Sequence, residues 1–563
     1  MACPESRLKC FLHYGCEDQM YIPSRNIKHS FHPEKVKSII ELLQNEEAQK
    51  NIVATIVKVF RNGYIIEPYA SLYALAVVIR KAESKSQNKI ICDAYRSARK
   101  LCEYNAAYFL TFTYYLREIA KLDFKKGFGN GWRKTIQKWY CNSDALMLAE
   151  AVTKVGSIEN WSHKDILSLC HLKAPDDNIG VSAVMLYIQK GYRKAFERYS
   201  NESAASKVLQ YLSLVDQFRK AESEAAIINL IILNGIIDHC PDKFLKSHEV
   251  WLALIKHMSV EDLLSRINRM SKLKLFRQRE IVQEVINRFG RDDDVANIHP
   301  IYVYVIRKQY EEGPNLAIEF QYLQRQRQIE ASIEAAGADE NSVAAAVEAQ
   351  HIVQRQPPPR RSVDLINSLS SLFKKSLLNL PPTGLRYLIA LDMTAAIASR
   401  RCFFERFVSV EDAAVLVALC IIKAEIESNI KLVTFMKPNE GTESIREIPI
   451  CKMEESMETL KGKLSTMDAV PANLSLLLNW ATQNNEVYDV FVILSDNLLN
   501  ATGVRDALKI YQENVSPKAK IITCSFTGKL KKGKELTQSN MFLICGFDKN
   551  VGRLIEAYSR GSF

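Results

Sequence analysis

Paired cysteines are what this chain lacks first. It carries 13 cysteines, an odd number, and none stands in a CxxC pair or at regular spacing, so the thiols read as reduced and mostly as core filler. No run of about 18 apolar residues offers a bilayer span, and no secretory signal opens the sequence. Phosphate loops, HExxH and GxSxG are absent, and no acid pair stands in a catalytic motif. The expectation is a soluble intracellular protein that is not an enzyme, needs no cofactor and touches no membrane. The cytoplasm is the expected compartment and the nucleus a second one.

What is present is length and a placed charge. A chain of 563 residues has room for two to four domains. The formal charge is +11, and its position says more than its size. Residues 51–200 hold 23 Lys/Arg against 13 Asp/Glu, residues 201–350 hold 18 against 22, and residues 501–563 hold 11 against 5. A surplus confined to one region suits a polyanion, with nucleic acid the leading candidate and a merely solubilising surface the alternative.

The first 320 or so residues are helical in pattern. Val36, Ile39, Ile40 and Leu43 follow the i, i+3, i+4, i+7 rule after Pro33, and Leu72, Leu75, Ala76 and Ile79 repeat it. Many such helices without strands between them imply stacked, HEAT-like helical pairs. From residue 325 the sequence turns rich in Gln, Ala and Glu, loses aromatics and ends in PPPRR, so 325–361 reads as a low-complexity insertion that builds no core. A helix over 362–379 follows. Beyond it, apolar strands at 385–391, 430–436, 487–495, 519–526 and 540–547 alternate with helices near 409–428, 474–484, 503–514 and 550–559, the first with a Ser409–Asp412 capping box. That alternation predicts an α/β doubly wound, Rossmann-like domain with a mostly parallel sheet. Ligands of such sheets bind beyond the carboxyl ends of the strands, where Asp392 and Asp496 fall. Asp392 with the Thr394 hydroxyl is the kind of oxygen set that holds magnesium.

Residues 127–173 carry the binding candidates. Arg133, Lys134 and Lys138 lie beside Trp132, Trp139 and Tyr140, and basic groups interleaved with aromatics can hold phosphates and stack bases. The competing reading makes the aromatics core and the cations a solvated face. Ser162 and Asp165 form a capping box. On the helix it starts, Ile166, Leu169 and Cys170 share one face, and Lys164, Ser168 and His171 share the other, with Lys173 just beyond.

The stretches AVTK and NWSHKDILSLCHLK, with WRKTIQKWY before them, IHP at 298–300, PTG at 382–384 and ICGFD at 544–548, closely resemble the 60-kilodalton Ro (SS-A) ribonucleoprotein family over nearly the whole chain. The resemblance implies a ring of helical repeats, the TROVE module (1–324, closed by a last helix at 362–380), and a von Willebrand factor A-like domain at 381–563. It implies small noncoding Y-like RNAs on the outside of the ring and 3′ ends of misfolded RNAs in its hole, in RNA quality control. Exonucleases or other RNA-processing proteins follow as partners, and a monomer follows because one chain closes its own ring. By position, His171 and Lys154 match residues of the family's Y RNA surface. The family's basic loop before the tryptophan is here KVGSIENW, with Ile158 for an arginine and an added Glu159, which implies weaker or different RNA binding.

The resemblance also implies an adhesion-type metal pattern, Asp-x-Ser-x-Ser with a loop threonine and a later acid. Asp392, Thr394 and Asp496 remain, but Ala396 stands for the second serine, Asn473 for an acid, and the threonine has no counterpart. Two acids and one hydroxyl make a poor octahedral cage for Mg²⁺, so Asp392 and Asp496 are expected to cap helix starts in a degenerate site. The basic loop 527–540 reads as a solvated hairpin tip. The alternative function is a protein-interaction scaffold with weakened RNA binding.

Overall fold

The computed structural model describes residues 3–23, 35–83, 85–124, 129–234, 238–291, 295, 297–313, 361–392, 394, 400–437, 445–465, 469–471, 473–497, 503–529 and 540–563. The stretch 325–360, Pro33, Ala396 and most of the loop 527–540 lie outside them.

From Pro4 to Gly290 helices of 7 to 17 residues follow one another. The helix Pro68–Lys81 buries every residue from Ala70 to Ile79, as a helix apolar all round must. Its neighbour Asn88–Leu101 buries only Ala94, Ala98 and Leu101, a stripe with solvent opposite. Val36, Ile39 and Leu43, read from spacing as a core face, are buried.

Among the described residues, a seven-stranded sheet has the order β1–β9–β8–β7–β4–β5–β6. Its strands are β1 (Met20–Tyr21), β4 (Tyr387–Leu391), β5 (Ile430–Phe435), β6 (Ile445–Glu447), β7 (Val490–Asn497), β8 (Lys520–Lys529) and β9 (Met541–Cys545). Every pairing is parallel except β5 with β6. A separate hairpin joins β2 (Ser157–Ile158) to β3 (Trp161–Ser162). β4 is buried throughout, with its alternate residues on opposite faces. Ile389 and Leu391 meet the helices Val410–Ala424 and Val551–Ser559, while Leu388 and Ala390 meet Leu474–Gln483 and Val504–Asn514. Ser409 caps the first of these helices at Asp412 N (3.0 Å). The Asp412 carboxylate also reaches Lys461.

The core on the Ile389 face runs on into Trp251, Leu263, Tyr304 and Leu369 of the helical region. At the other extreme, the helix Pro4–Tyr14 places Leu8, Phe11 and Leu12 in the first helical core and Cys10 and Tyr14 in the core of the sheet. Tyr14 lies 5.7 Å from Phe542 and 5.5 Å from Phe563, ring to ring, and β1 pairs with β9 through Met20↔Leu543 and Tyr21↔Ile544. The helix Ser206–Lys220 joins the two cores again, through Leu212 in one and Phe218 in the other. Contacts therefore form a closed circuit, helices and sheet domain together. Among the described residues, no helix is long and apolar enough to cross a membrane.

Candidate functional site

The helix Asn130–Cys141 sorts its residues by burial. Trp132, Thr135, Ile136, Trp139 and Tyr140 are buried; Arg133, Lys134 and Lys138 are exposed. Trp132 is fully buried, stacked on Tyr95 at 6.1 Å and edge-on to Phe112 at 4.9 Å. This corrects the reading of Trp132 as an RNA-stacking residue: its ring has protein on its faces, and of the interleaved cations and aromatics of this helix the cations are the ones exposed. Trp139 stacks on Phe109 at 4.0 Å and donates its Nε1–H to the Cys102 carbonyl at 2.8 Å.

The helix His163–Leu169 starts at the predicted capping box of Ser162 and Asp165. Its buried stripe is His163, Ile166, Leu167 and Cys170, so Leu169, 49 % exposed, is not on the core face as spacing suggested. His163, missed from sequence, is the anchor. Its Nε2 lies 3.1 Å from the Val155 carbonyl, which can only accept, so Nε2 carries the proton and Nδ1 accepts from Tyr140 O–H at 2.6 Å. Burial pushes its pKa down to about 4, so the imidazole stays neutral near pH 7. The i, i+3, i+4, i+7 relation of His163 to Ile166, Leu167 and Cys170 was the available signal.

His171 sits two residues past the last helical residue, Leu169, and not on the helix. Its φ is 50°. His171 N–H bonds Ser168 O at 3.2 Å and Leu172 N–H bonds Leu167 O at 3.1 Å, the paired 5→2 and 6→1 bonds of a Schellman ending. Glycine is the usual occupant of that left-handed position, and an imidazole there costs roughly 1 kcal/mol. The exposed side chain stands beside exposed Lys173, with Lys164 at the helix start. Arg133 lies close enough to bear on the Cys170 thiol, which burial raises and the guanidinium lowers. Lys154 is different: its ammonium pairs with Asp238 at 3.1 Å. The loop between them is the β2–β3 hairpin, with Glu159 and Asn160 at φ 51° and 64°. Ile158 and Trp161 pack against the helical core, so the residue in the expected arginine's place is apolar because it is half buried.

At the carboxyl ends of β4 and β7, Asp392 and Asp496 are 2 % and 5 % exposed. Ser495 Oγ donates to Asp392 Oδ2 at 2.8 Å. The Asp496 carboxylate is ion-paired with the guanidinium of Arg400, a residue that no motif pointed to. Asn473 accepts from Leu476 N at 3.2 Å as the N-cap of its helix. A buried acid already facing an arginine, one hydroxyl at Thr394 and a capping asparagine do not fit six-coordinate Mg²⁺. Among the described residues no group of three His, Cys, Asp or Glu could hold a metal ion. The expected helix-capping partners of the two acids fall in 393–399 and 498–502, mostly outside the described residues.

A circuit of helices attached to a parallel sheet with an acidic carboxyl edge defines a two-module protein, a helical-repeat array joined to a von Willebrand factor A-type domain. Residues 30–233 match the TROVE domain and residues 386–559 match the Ro60 vWA domain, and the chain belongs to the Ro family that joins these two. It is 22 % identical over 476 residues to "RNA-binding protein RO60" of Caenorhabditis elegans, covering 77 % of this chain and 66 % of the relative, just under two thirds of its length. It is 21 % identical to the protein of that name from Deinococcus radiodurans, over 99 % of this chain and 93 % of the relative. The crystal structure of the Deinococcus radiodurans Ro (RSR) protein superposes with a TM-score of 0.74 at 19 % identity, covering all of both chains, which shows the shared fold.

Proposed function

We propose that this chain binds small noncoding RNAs, Y-like RNAs and the 3′ ends of misfolded transcripts, as a monomeric ribonucleoprotein in RNA quality control. It would act by holding RNA, in the cytoplasm and the nucleus, with nucleases supplied by partners. The observation that carries this reading is His171, an exposed imidazole at a helix ending where glycine would be more stable, set among exposed cations. Arg133, Lys134, Lys138, Lys164 and Lys173, exposed on the two neighbouring helices and the turn after them, supply phosphate contacts, and the family match supports the class of ligand. The sheet domain is proposed to work without a divalent ion, Arg400 providing the positive charge. The scaffold reading draws on the neutralised Lys154 and the apolar Ile158.

The test is a titration against a structured small RNA with a single-stranded 3′ tail and the same RNA trimmed, at low and physiological salt, with wild type and His171→Gly. Glycine suits the left-handed position, so stability should stay within about 1 kcal/mol of wild type or rise while affinity falls. Each of Arg133, Lys134 and Lys138 replaced by Ala should lower the salt slope by about one if it holds a phosphate. Undiminished affinity in His171→Gly removes His171 from the RNA surface, and no binding at low salt favours the scaffold.

A further inference from the structure

Where the helical circuit meets the carboxyl end of the sheet there is a cavity of about 490 Å³, within the range of small-molecule sites and at the kind of module junction where they occur. The segment after β9, Asp548–Asn550, forms one side, and the helical residues Tyr302, Val305 and Ile306 form another. Tyr14, Tyr21 and Phe404 add aromatic wall. Phe404 is half exposed with φ 73°, a strained backbone for a bulky residue. The residue before it is held at both of its backbone groups, Phe403 N–H to Phe526 O at 2.7 Å and Phe547 N–H to Phe403 O at 3.1 Å.

Three carboxylates line this space, Glu67, Glu405 and Asp548, against one ammonium, Lys549. Glu405 and Asp548 are each only 5 % exposed. Their hydrogen-bond donors are neutral: Gln309 Nε2 to Glu405 at 2.7 Å, and to Asp548 the Tyr21 hydroxyl at 2.6 Å with Asn550 N at 2.9 Å. Burial pushes the Glu405 carboxyl up to about 7, the direction a cation would reverse. The wall already attracts a cation, since Lys549 Nζ lies 4.8 Å from the Tyr302 ring centroid.

The geometry points to a binding site for a small organic cation, an alkylguanidinium or alkylammonium whose head lies between Glu405, Asp548 and the aromatic wall and whose chain lies against Val305 and Ile306. It stands independently of the RNA reading and faces the other side of the molecule's chemistry, taking positive charge where the helical surface takes negative.

The experiment compares butylguanidinium with its neutral isostere butylurea by saturation-transfer NMR on the full chain. Wild type should bind butylguanidinium roughly tenfold more tightly than butylurea, the scale of a desolvated cation–π and carboxylate contact. Ser265→Trp, placed on the cavity rim without changing any charge, should abolish the signal, and the isosteric Glu405→Gln should weaken it several-fold. Equal binding of the two probes, no binding of either, or binding that survives Ser265→Trp would overturn the site. If Glu405→Gln fails to fold, the probe comparison on wild type and the Ser265→Trp result decide it.

Discussion

At the scale of single residues, two polar pairs hold buried groups in place, Tyr140 with His163 and Arg400 with Asp496. The Tyr140 hydroxyl donates to a His163 that must keep its other proton for Val155. Tyr140→Phe leaves a buried imidazole nitrogen without its donor, so a loss of about 1–2 kcal/mol is expected in denaturant unfolding. Arg400 answers a different need. Asp496 is buried at the strand end, and its carboxylate would face a low-dielectric pocket alone without the guanidinium. Arg400→Gln should cost about 1–3 kcal/mol, less than a wholly buried pair because the arginine is 46 % exposed. Thermal melts with and without millimolar Mg²⁺ test the metal reading as well. A wild-type melting temperature that rises with Mg²⁺ would show that a divalent ion still binds despite Arg400.

At the scale of elements, the β2–β3 hairpin shows a stability left unused. Both turn residues lie in the left-handed region, the signature of a two-residue type I′ turn, in which Asn-Gly is preferred. Asn160→Gly should therefore stabilise by a few tenths of a kcal/mol to about 1, read as a rise in melting temperature. Most elements of this kind were legible in the sequence where an apolar period lasted long enough. β4, β5 and the helices at 363–378 and 504–514 fall within a few residues of where spacing put them. What period could not reveal was orientation at ends. Leu169 was assigned to the core because the stripe was phased on Ile166 and Cys170 alone, and His163, at the first helical position, was left out of it. β1 and β6, two and three residues long, are too short for any alternation and exist only because a sheet edge receives them. Trp132 was misread for a related reason: sequence shows that aromatics and cations alternate, but only the helical wheel of Asn130–Cys141, completed by Tyr95 and Phe112 from other helices, shows which of them face in.

At the scale of the whole molecule, His13 and His299 lie where the helical array packs on the sheet domain, and that junction is where acid should open it. His13 lies on the helix Pro4–Tyr14, its ring 4.7 Å from Phe563. His299, from the IHP segment, packs so close to Gly552 that a Cβ there would collide with its ring. Gly552→Ala should consequently cost about 1–3 kcal/mol by overpacking, measured by denaturant unfolding. Burial pushes His13 to about 4 and His299 to about 3, and His163 in the helical array to about 4. Unfolded histidine takes its proton near pH 6.5. Between that pH and the folded values the unfolded chain binds more protons, so stability is intact above about 6.5 and is lost as pH falls below it. Each histidine contributes about 1.4 kcal/mol of loss by pH 5.5, roughly 4 kcal/mol for the three. Two of the three lie where helices meet sheet, and the parallel pairing of β1 with β9 is only two residues long. Hydrogen exchange at pH 5.5 against pH 7.5 should accordingly show protection lost first at Met20, Tyr21 and residues 298–306, with β4, β7 and β8 unchanged. Loss spread evenly over the helical array instead would mean that His163, not the junction, sets the acid limit.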